Sequence, residues 1–156
     1  MARLPLTTRM VMRLDVYSVR WTGRSFFMWL FARRAGLARD AQLASRNPRA
    51  LVLTTRGHRS GRARSVVLPC FTFDDKTFVV GSKGGAPEDP DWVRNLLATP
   101  AATACIGRTI RAVTARLATR DERATLWPQL TACAPTYEAY QTGTRREIPL
   151  LILQGL

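Results

Sequence analysis

Beyond Asn47-Pro48 the chain is a series of short β-prone runs separated by turn signals, and this pattern restricts the available folds more than any other feature. Leu51 to Thr55 reads as a first strand. Arg64 to Phe73 reads as a second, in which Pro69 implies a sheet edge or a bulge, because proline cannot donate to a ladder. Asp74-Asp75-Lys76 is a turn, and Thr77 to Gly81 returns as a third strand. Pro90 to Ala98 predicts a short helix, with Asp89 or Asp91 near its start, Trp92, Leu96 and Leu97 on one side, and Pro100 as its stop. Ala101 to Ile106 and Thr109 to Ala118 are two more strands across Gly107-Arg108, a glycine-first hairpin turn. Thr119 predicts the N-cap of a helix through Leu130, with Asp121 and Glu122 in its first turn. Pro135 to Thr144 reads as a loop or short helix, and Ile148 to Gln154 as an apolar closing strand. About six strands, mostly antiparallel, with helices interposed, make an α+β protein. A small barrel suits that order better than an open parallel sheet.

At 156 residues the chain reads as one domain, divided into a basic helical segment over 1–46 and a barrel over 47–156. Three cysteines without CxxC spacing read as reduced thiols in a cytoplasmic protein, and a single histidine argues against a structural zinc site. The longest apolar candidate, Phe26 to Ala32, is too short to span a bilayer, and interrupting arginines with no clear cleavage site argue against a signal peptide. Within the N-terminal segment Met10, Leu14, Tyr17 and Trp21 share one helical face, and the aromatic run is flanked by Arg24, Arg33 and Arg34. One reading packs this helix on the core or on a second copy of the chain. The other lays residues 1–35 on the inner face of the cell membrane, with aromatics at headgroup depth and arginines toward anionic lipid.

The formal net charge is +13, and it is unevenly placed. Residues 1–64 hold fourteen arginines against Asp15 and Asp40, a net +12, whereas residues 65–156 are nearly balanced at +1. Such asymmetry argues for a local anionic partner rather than a surface coated for nucleic acid. The stretch Thr54 to Ser65 holds Gly57 and Gly61 among four arginines, directly after the first strand. Glycine lets backbone N–H groups come close to a ligand, and the guanidinium fork fits phosphate oxygens. This turn is therefore expected to hold something small and anionic. A basic nucleic-acid-binding domain without catalysis is an alternative reading of the same charge.

Catalytic machinery is sparse. His58, the lone histidine, lies among arginines rather than beside a nucleophile and an acid. The turn is not a P-loop, no GxGxxG opens a helix, and Glu88, Asp89 and Asp91 read as loop and cap residues. Hard chemistry would then belong to a bound cofactor.

Two further blocks complete the pattern. Gly81-Ser82-Lys83-Gly84-Gly85-Ala86-Pro87 is a second glycine cluster after a strand, followed by Trp92 and Asn95; Tyr137, Tyr140, Gln141 and Thr144 precede Arg145-Arg146-Glu147-Ile148-Pro149. Together with Leu51 to Arg64, the blocks Ser82 to Leu96 and Tyr137 to Pro149 resemble the deazaflavin-dependent nitroreductase family, split-barrel reductases that use coenzyme F420. The resemblance covers roughly residues 50–154. It implies that His58, Arg59 and Ser60, with Arg64, Ser65, Val66, Val67, Leu68 and Pro69, receive the cofactor phosphate and tail. It implies that Val80, Gly81, Ser82 and Lys83 flank the ring, as do Asp91, Trp92, Val93, Arg94 and Asn95. Ser82, Tyr137 and Tyr140 match positions near ring and substrate, and these three are the catalytic candidates. His58 stands where many relatives carry lysine or arginine, and Ala134 where nitro-reducing members carry an aromatic residue, which puts nitroimidazole reduction in doubt.

The expected function is F420H2-dependent hydride transfer to a small electron-poor acceptor such as a quinone, a nitro compound or an activated alkene, with no nucleic-acid partner. Alternatives are a split barrel holding FMN, and a cofactor carrier without catalysis. Related barrels suggest a homodimer.

Overall fold

The computed structural model describes residues 15–18 and 49–156. Six strands are present: β1 (Arg49–Arg56), β2 (Ala63–Phe73), β3 (Lys76–Val80), β4 (Ala101–Ile106), β5 (Thr109–Leu117) and β6 (Leu150–Gln154). They close into a barrel in the order β1-β2-β3-β6-β5-β4. Every neighbouring pair is antiparallel. Three helices are interposed: α1 (Asp91–Ala98), α2 (Arg120–Cys133) and α3 (Thr136–Thr142). The expected α+β barrel is the observed one, and 136–142 is a helix rather than a loop.

Alternation along the strands builds two apolar layers. Leu51, Leu53, Cys70, Val79, Val113, Ala115, Leu151 and Leu153 fill the barrel, and Trp92, Val93 and Leu96 of α1 join them. Phe71, Phe73, Phe78, Leu150 and Ile152 face outward onto Leu126, Leu130, Cys133 and Tyr137 of α2 and α3. A third patch, Val52, Val67 and Cys105, receives Val16 from the helical stretch 15–18. Tyr17 is 63% exposed, so the face that meets the barrel passes through Val16 and not through Tyr17. Met10, Leu14, Trp21 and the aromatic run lie outside the described residues.

Turn chemistry explains the connections. Asp74 and Asp75 adopt φ of 47° and 59°, a left-handed pair that aspartate tolerates, between partners Phe73 and Lys76. Gly107 has φ 59° at the first position of the β4–β5 turn. Pro69 pairs with Ala50 of β1, while the β2–β3 ladder begins only at Cys70, so its missing N–H faces no strand. Helix α2 starts at a full capping box: Glu122 N–H donates to Thr119 Oγ1 and Thr119 N–H to Glu122 Oε2. It runs three residues past the expected Leu130, through Pro128.

Strand polarity then fixes where function can sit. The two-residue turns at 74–75 and 107–108 occupy one end of the barrel. The β1–β2 turn, the β3–α1–β4 connection and the β5–α2–α3–β6 connection all emerge at the other.

Candidate active site

At that crowded end the β1–β2 turn is closed by its own backbone. Gly57 N–H donates to Arg62 O at 2.8 Å and Gly61 N–H to Gly57 O at 2.7 Å. A Cβ at Gly57 would lie 2.7 Å from Ser60 Oγ and 3.2 Å from Arg62 O, so no side chain fits there. His58 through Ser65 are all exposed. Among the described residues, no acid lies within ion-pair distance of Arg56, Arg59, Arg62 or Arg64. Four guanidinium groups on one turn without counter-charge repel one another, and an anion bound there relieves that repulsion. A shallow, open groove of about 320 Å³ adjoins the turn, lined by Thr54, Thr55, Arg56, Gly61, Ala63 and the start of β4.

Asn95 ties the turn to α1. It is 4% exposed. Its Oδ1 accepts from His58 N–H and lies 2.9 Å from His58 Nδ1, and its Nδ2 donates to Thr55 Oγ1 at 3.0 Å. The backbone N–H fixes which way the amide points, so His58 Nδ1 carries a proton and Nε2 is left for an outside partner. Asn95 is thus the hub of the turn, with both ends of its amide engaged inside the protein.

The second loop is held from behind. Lys83, Gly84 and Gly85 have φ of 47°, 65° and 78°, a single left-handed turn. Two glycines adopt it freely, and Lys83 bears a cost of about 1 kcal/mol. Gly85 also meets α3: a Cβ there would be 3.0 Å from Tyr140 O. Arg146 clasps the loop, donating to Ala86 O, Gly81 O and Ser82 O at 2.8, 2.9 and 2.8 Å and to Asp89 Oδ1 at 2.7 Å. Gln141 knits the following segment, with Nε2 donating to Arg146 O and Oε1 accepting from Ile148 N–H and Arg123 Nη2.

Tyr137 and Tyr140 sit one turn apart on α3 with rings edge-on, centroids 6.0 Å apart. Tyr137 is 1% exposed and packs edge-on against Phe71 at 5.8 Å. Burial pushes its phenol far above the ordinary value, so it stays protonated. Tyr140 is half-buried and is the more accessible of the two.

The other sequence candidates divide by burial. Arg59, Ser60, Arg64, Ser65 and Lys83 present exposed polar side chains, and Ser82 a half-exposed one. Val66 and Leu68 turn into the barrel, while Val67, Pro69 and Val80 are buried on its outside, so these five can offer a ligand little beyond backbone. Trp92 and Val93 are core residues, and Leu97, expected beside Trp92, is 54% exposed instead. Arg94 is paired with Glu88 at 3.0 Å, which pulls that carboxyl below its ordinary value, and more loosely with Asp91. Arg146 and Gln141, which the sequence reading named within the Tyr137–Pro149 block without assigning them a role, are organising residues. Burial raises the Cys70 thiol to about 11, so it stays protonated. Among the described residues no cluster of three metal-ligating side chains occurs.

A small closed antiparallel barrel with its longer connections, cations and glycine turns gathered at one end has the architecture of a split barrel. Residues 27–155 match the defining pattern of the F420H2-dependent quinone reductases, and the chain belongs to that family. It is 36% identical over 104 residues to Rv3178 of Mycobacterium tuberculosis, covering 67% of this chain and 87% of that one. It is 34% identical over 109 residues to the F420H2-dependent quinone reductase Rv1261c of the same organism, covering 68% and 73%. A solved F420-H2 dependent reductase, FDR-A, superposes with a TM-score of 0.61 at 35% identity over 67% of this chain and 93% of its own. A second solved chain, described as a domain-swapped dimer, has the same TM-score and identity and is covered over 79%. An Agrobacterium tumefaciens protein of unknown function, 16% identical with a TM-score of 0.55, shares the fold.

Proposed function

We propose that the protein is a reductase that binds F420H2 at the loop end of the barrel and passes its hydride to a quinone. The observation that carries this reading is the set of four arginines on the β1–β2 turn without acidic partners among the described residues, in a chain of this family. The residues fit the group. The cofactor carries a phosphodiester and carboxylates, and the turn offers exposed guanidinium forks beside an open groove lined by Thr54, Thr55 and Thr103. The family and the named relatives, F420H2-dependent quinone reductases, support F420 over FMN and a quinone as acceptor.

Bound F420H2 supplies the hydride. The chain supplies position and a hydrogen-bond donor. Arg59 and Arg64 hold the anionic end, on a turn that Asn95 anchors through His58. The turn that carries Ser82 and Lys83 packs through Gly85 on the Tyr140 backbone of α3, which supports a role for the Tyr140 O–H as donor to charge that develops on the acceptor oxygen. Tyr137, buried behind it, fixes the Tyr140 ring edge-on. A tyrosine hydroxyl suits donation better than base work at neutral pH.

The test is a fluorescence titration of oxidised F420 into the purified chain, with FMN in parallel, followed by F420H2 oxidation with menadione. Saturable F420 binding and quinone-dependent turnover support the reading. FMN binding without F420 binding overturns it.

Quinones partition into membranes, so the reading extends to a peripheral position on the inner face of the cell membrane through residues 1–35. Co-flotation with anionic vesicles that residues 49–156 alone also achieve would refute that contact. A homodimer, suggested by the domain-swapped relative, is refuted by a monomeric mass in light scattering at micromolar concentration.

A further inference from the structure

Arg146 directs every face of its guanidinium at one loop. Nε, Nη1 and Nη2 reach three backbone carbonyls and Asp89 between residues 81 and 89, and the side chain is 15% exposed. The loop has few bonds of its own: Gly85 N–H to Ser82 O at 2.9 Å and a longer one, Ala86 N–H to Lys83 O at 3.3 Å. Within the loop Ser82 O accepts only from Gly85 N–H, and the left-handed run at 83–85 gives Gly81 O and Ala86 O no helix or strand partner. The backbone carbonyl of Arg146 in turn accepts from Gln141, the residue after Tyr140. One unbroken path of hydrogen bonds therefore runs from the helix carrying Tyr140, through Arg146, to the carbonyl of Ser82.

We propose that Arg146 is a positioning residue of the reductase site, which fixes the Ser82–Gly85 turn beside α3 and thereby the placement of Ser82 and Lys83 around the cofactor ring. The proposal rests on the F420 reading of this end of the barrel. It touches neither the phosphate-holding turn nor the acceptor. Lysine cannot replace it, because a compact ammonium cannot reach acceptors in three directions at once.

The test compares Arg146→Lys, Arg146→Ala and Glu122→Gln, the last being a destabilising control in the α2 cap. Amide hydrogen exchange of residues 82–86 is read without cofactor, and F420 affinity and kcat with it. Arg146→Lys is expected to accelerate exchange at 82–86 by about tenfold or more and to weaken F420 binding by a similar factor, the scale of losing charge-assisted hydrogen bonds. Millimolar guanidinium is expected to restore part of the affinity of Arg146→Ala. Glu122→Gln is expected to lower Tm while leaving both readouts within twofold. Exchange and affinity within twofold of the parent in Arg146→Lys overturn the proposal, as does equal loosening of the loop by Glu122→Gln. If Arg146→Ala does not fold, Arg146→Lys decides. If the parent chain binds no F420, the functional reading fails, and the exchange measurement alone decides whether Arg146 fixes the loop.

Discussion

Replacing Asn95 with alanine isolates the link between the arginine turn and the barrel. The side chain makes three contacts: two accepted at Oδ1 from His58, and one donated from Nδ2 to Thr55 Oγ1, which is itself buried. The losses are unequal. His58 is exposed, so water replaces the amide at its N–H and ring. Thr55 Oγ1 keeps only a 3.5 Å contact to Arg64 O. A net hydrogen bond contributes about 1 kcal/mol, and a buried orphan adds to the loss, so the cost is about 2 kcal/mol. In a domain of this size that lowers Tm by about 4–8 °C. The same change unties the turn from α1, so F420 affinity should fall by about tenfold beyond the effect of stability, because the arginines must now be ordered by the ligand itself. Asn95→Asp separates tethering from charge. It keeps the acceptor for His58 but sets a carboxylate beside an anion site, so Tm should recover more than affinity does. Differential scanning calorimetry and fluorescence titration read the two quantities. A Tm within about 1 °C of the parent together with unchanged affinity in Asn95→Ala would refute the hub.

Three other outcomes follow from the same geometry. The Arg116 guanidinium, bonded to both oxygens of Glu122 at 2.6 and 2.7 Å, and the Thr119 N–H pull that carboxyl down to about 2. Its contribution is therefore present above the ordinary carboxyl value and is lost as pH falls from about 4.5 toward about 2. Because Arg116 is partly exposed, about 1–2 kcal/mol is at stake; a stability–pH slope in Glu122→Gln as steep as the parent's over that window would contradict the assignment. Tyr140→Phe should lower kcat by about a hundredfold with F420 affinity nearly unchanged, and intact turnover removes the hydroxyl from the chemistry. Gly85→Ala meets both φ 78° and Tyr140 O at 3.0 Å, so it should cost about 1–2 kcal/mol in chemical denaturation; a neutral result means α3 is free to retreat.

The barrel was legible because alternation and turn chemistry are local. Residues such as Leu51, Leu53 and Val79 declare their face by spacing alone, and Gly107-Arg108 sets a register without reference to the rest of the chain. Helix faces were less legible. Hydropathy put Leu97 beside Trp92, yet the buried position went to a polar residue, Asn95, whose amide is satisfied by residues about forty positions away. Tyr17 lay on the predicted apolar helical face by the same logic, yet it is Val16 that packs on the barrel. The role of Arg146 was illegible for a related reason: its partners are mostly backbone carbonyls about sixty positions distant, and a carbonyl leaves no mark in sequence. The arginine turn was readable because unpaired charge is a matter of composition, and composition survives translation into space.

That last point can be separated from mere net charge. A chain at +13 attracts any anion at long range, so weak F420 binding could arise without a cradle. The barrel supplies its own control. Arg59 lies on the turn at the crowded end and Arg108 on the hairpin at the opposite end, both exposed and both without an acidic partner among the described residues. Strand β1 alone spans eight residues, about 25 Å at the usual rise, roughly three Debye lengths at physiological salt. Arg59→Gln and Arg108→Gln therefore remove the same formal charge but only one local contact. At about 0.15 M salt Arg59→Gln should weaken F420 binding by about three- to tenfold, while Arg108→Gln leaves it within about a factor of 1.5. At about 0.01 M the Debye length approaches the length of the barrel, and the two variants should converge as the global field reaches the far end. Equal losses at physiological salt would mean that the whole molecule, and not the turn, holds the anion, and the cofactor site would have to be sought elsewhere.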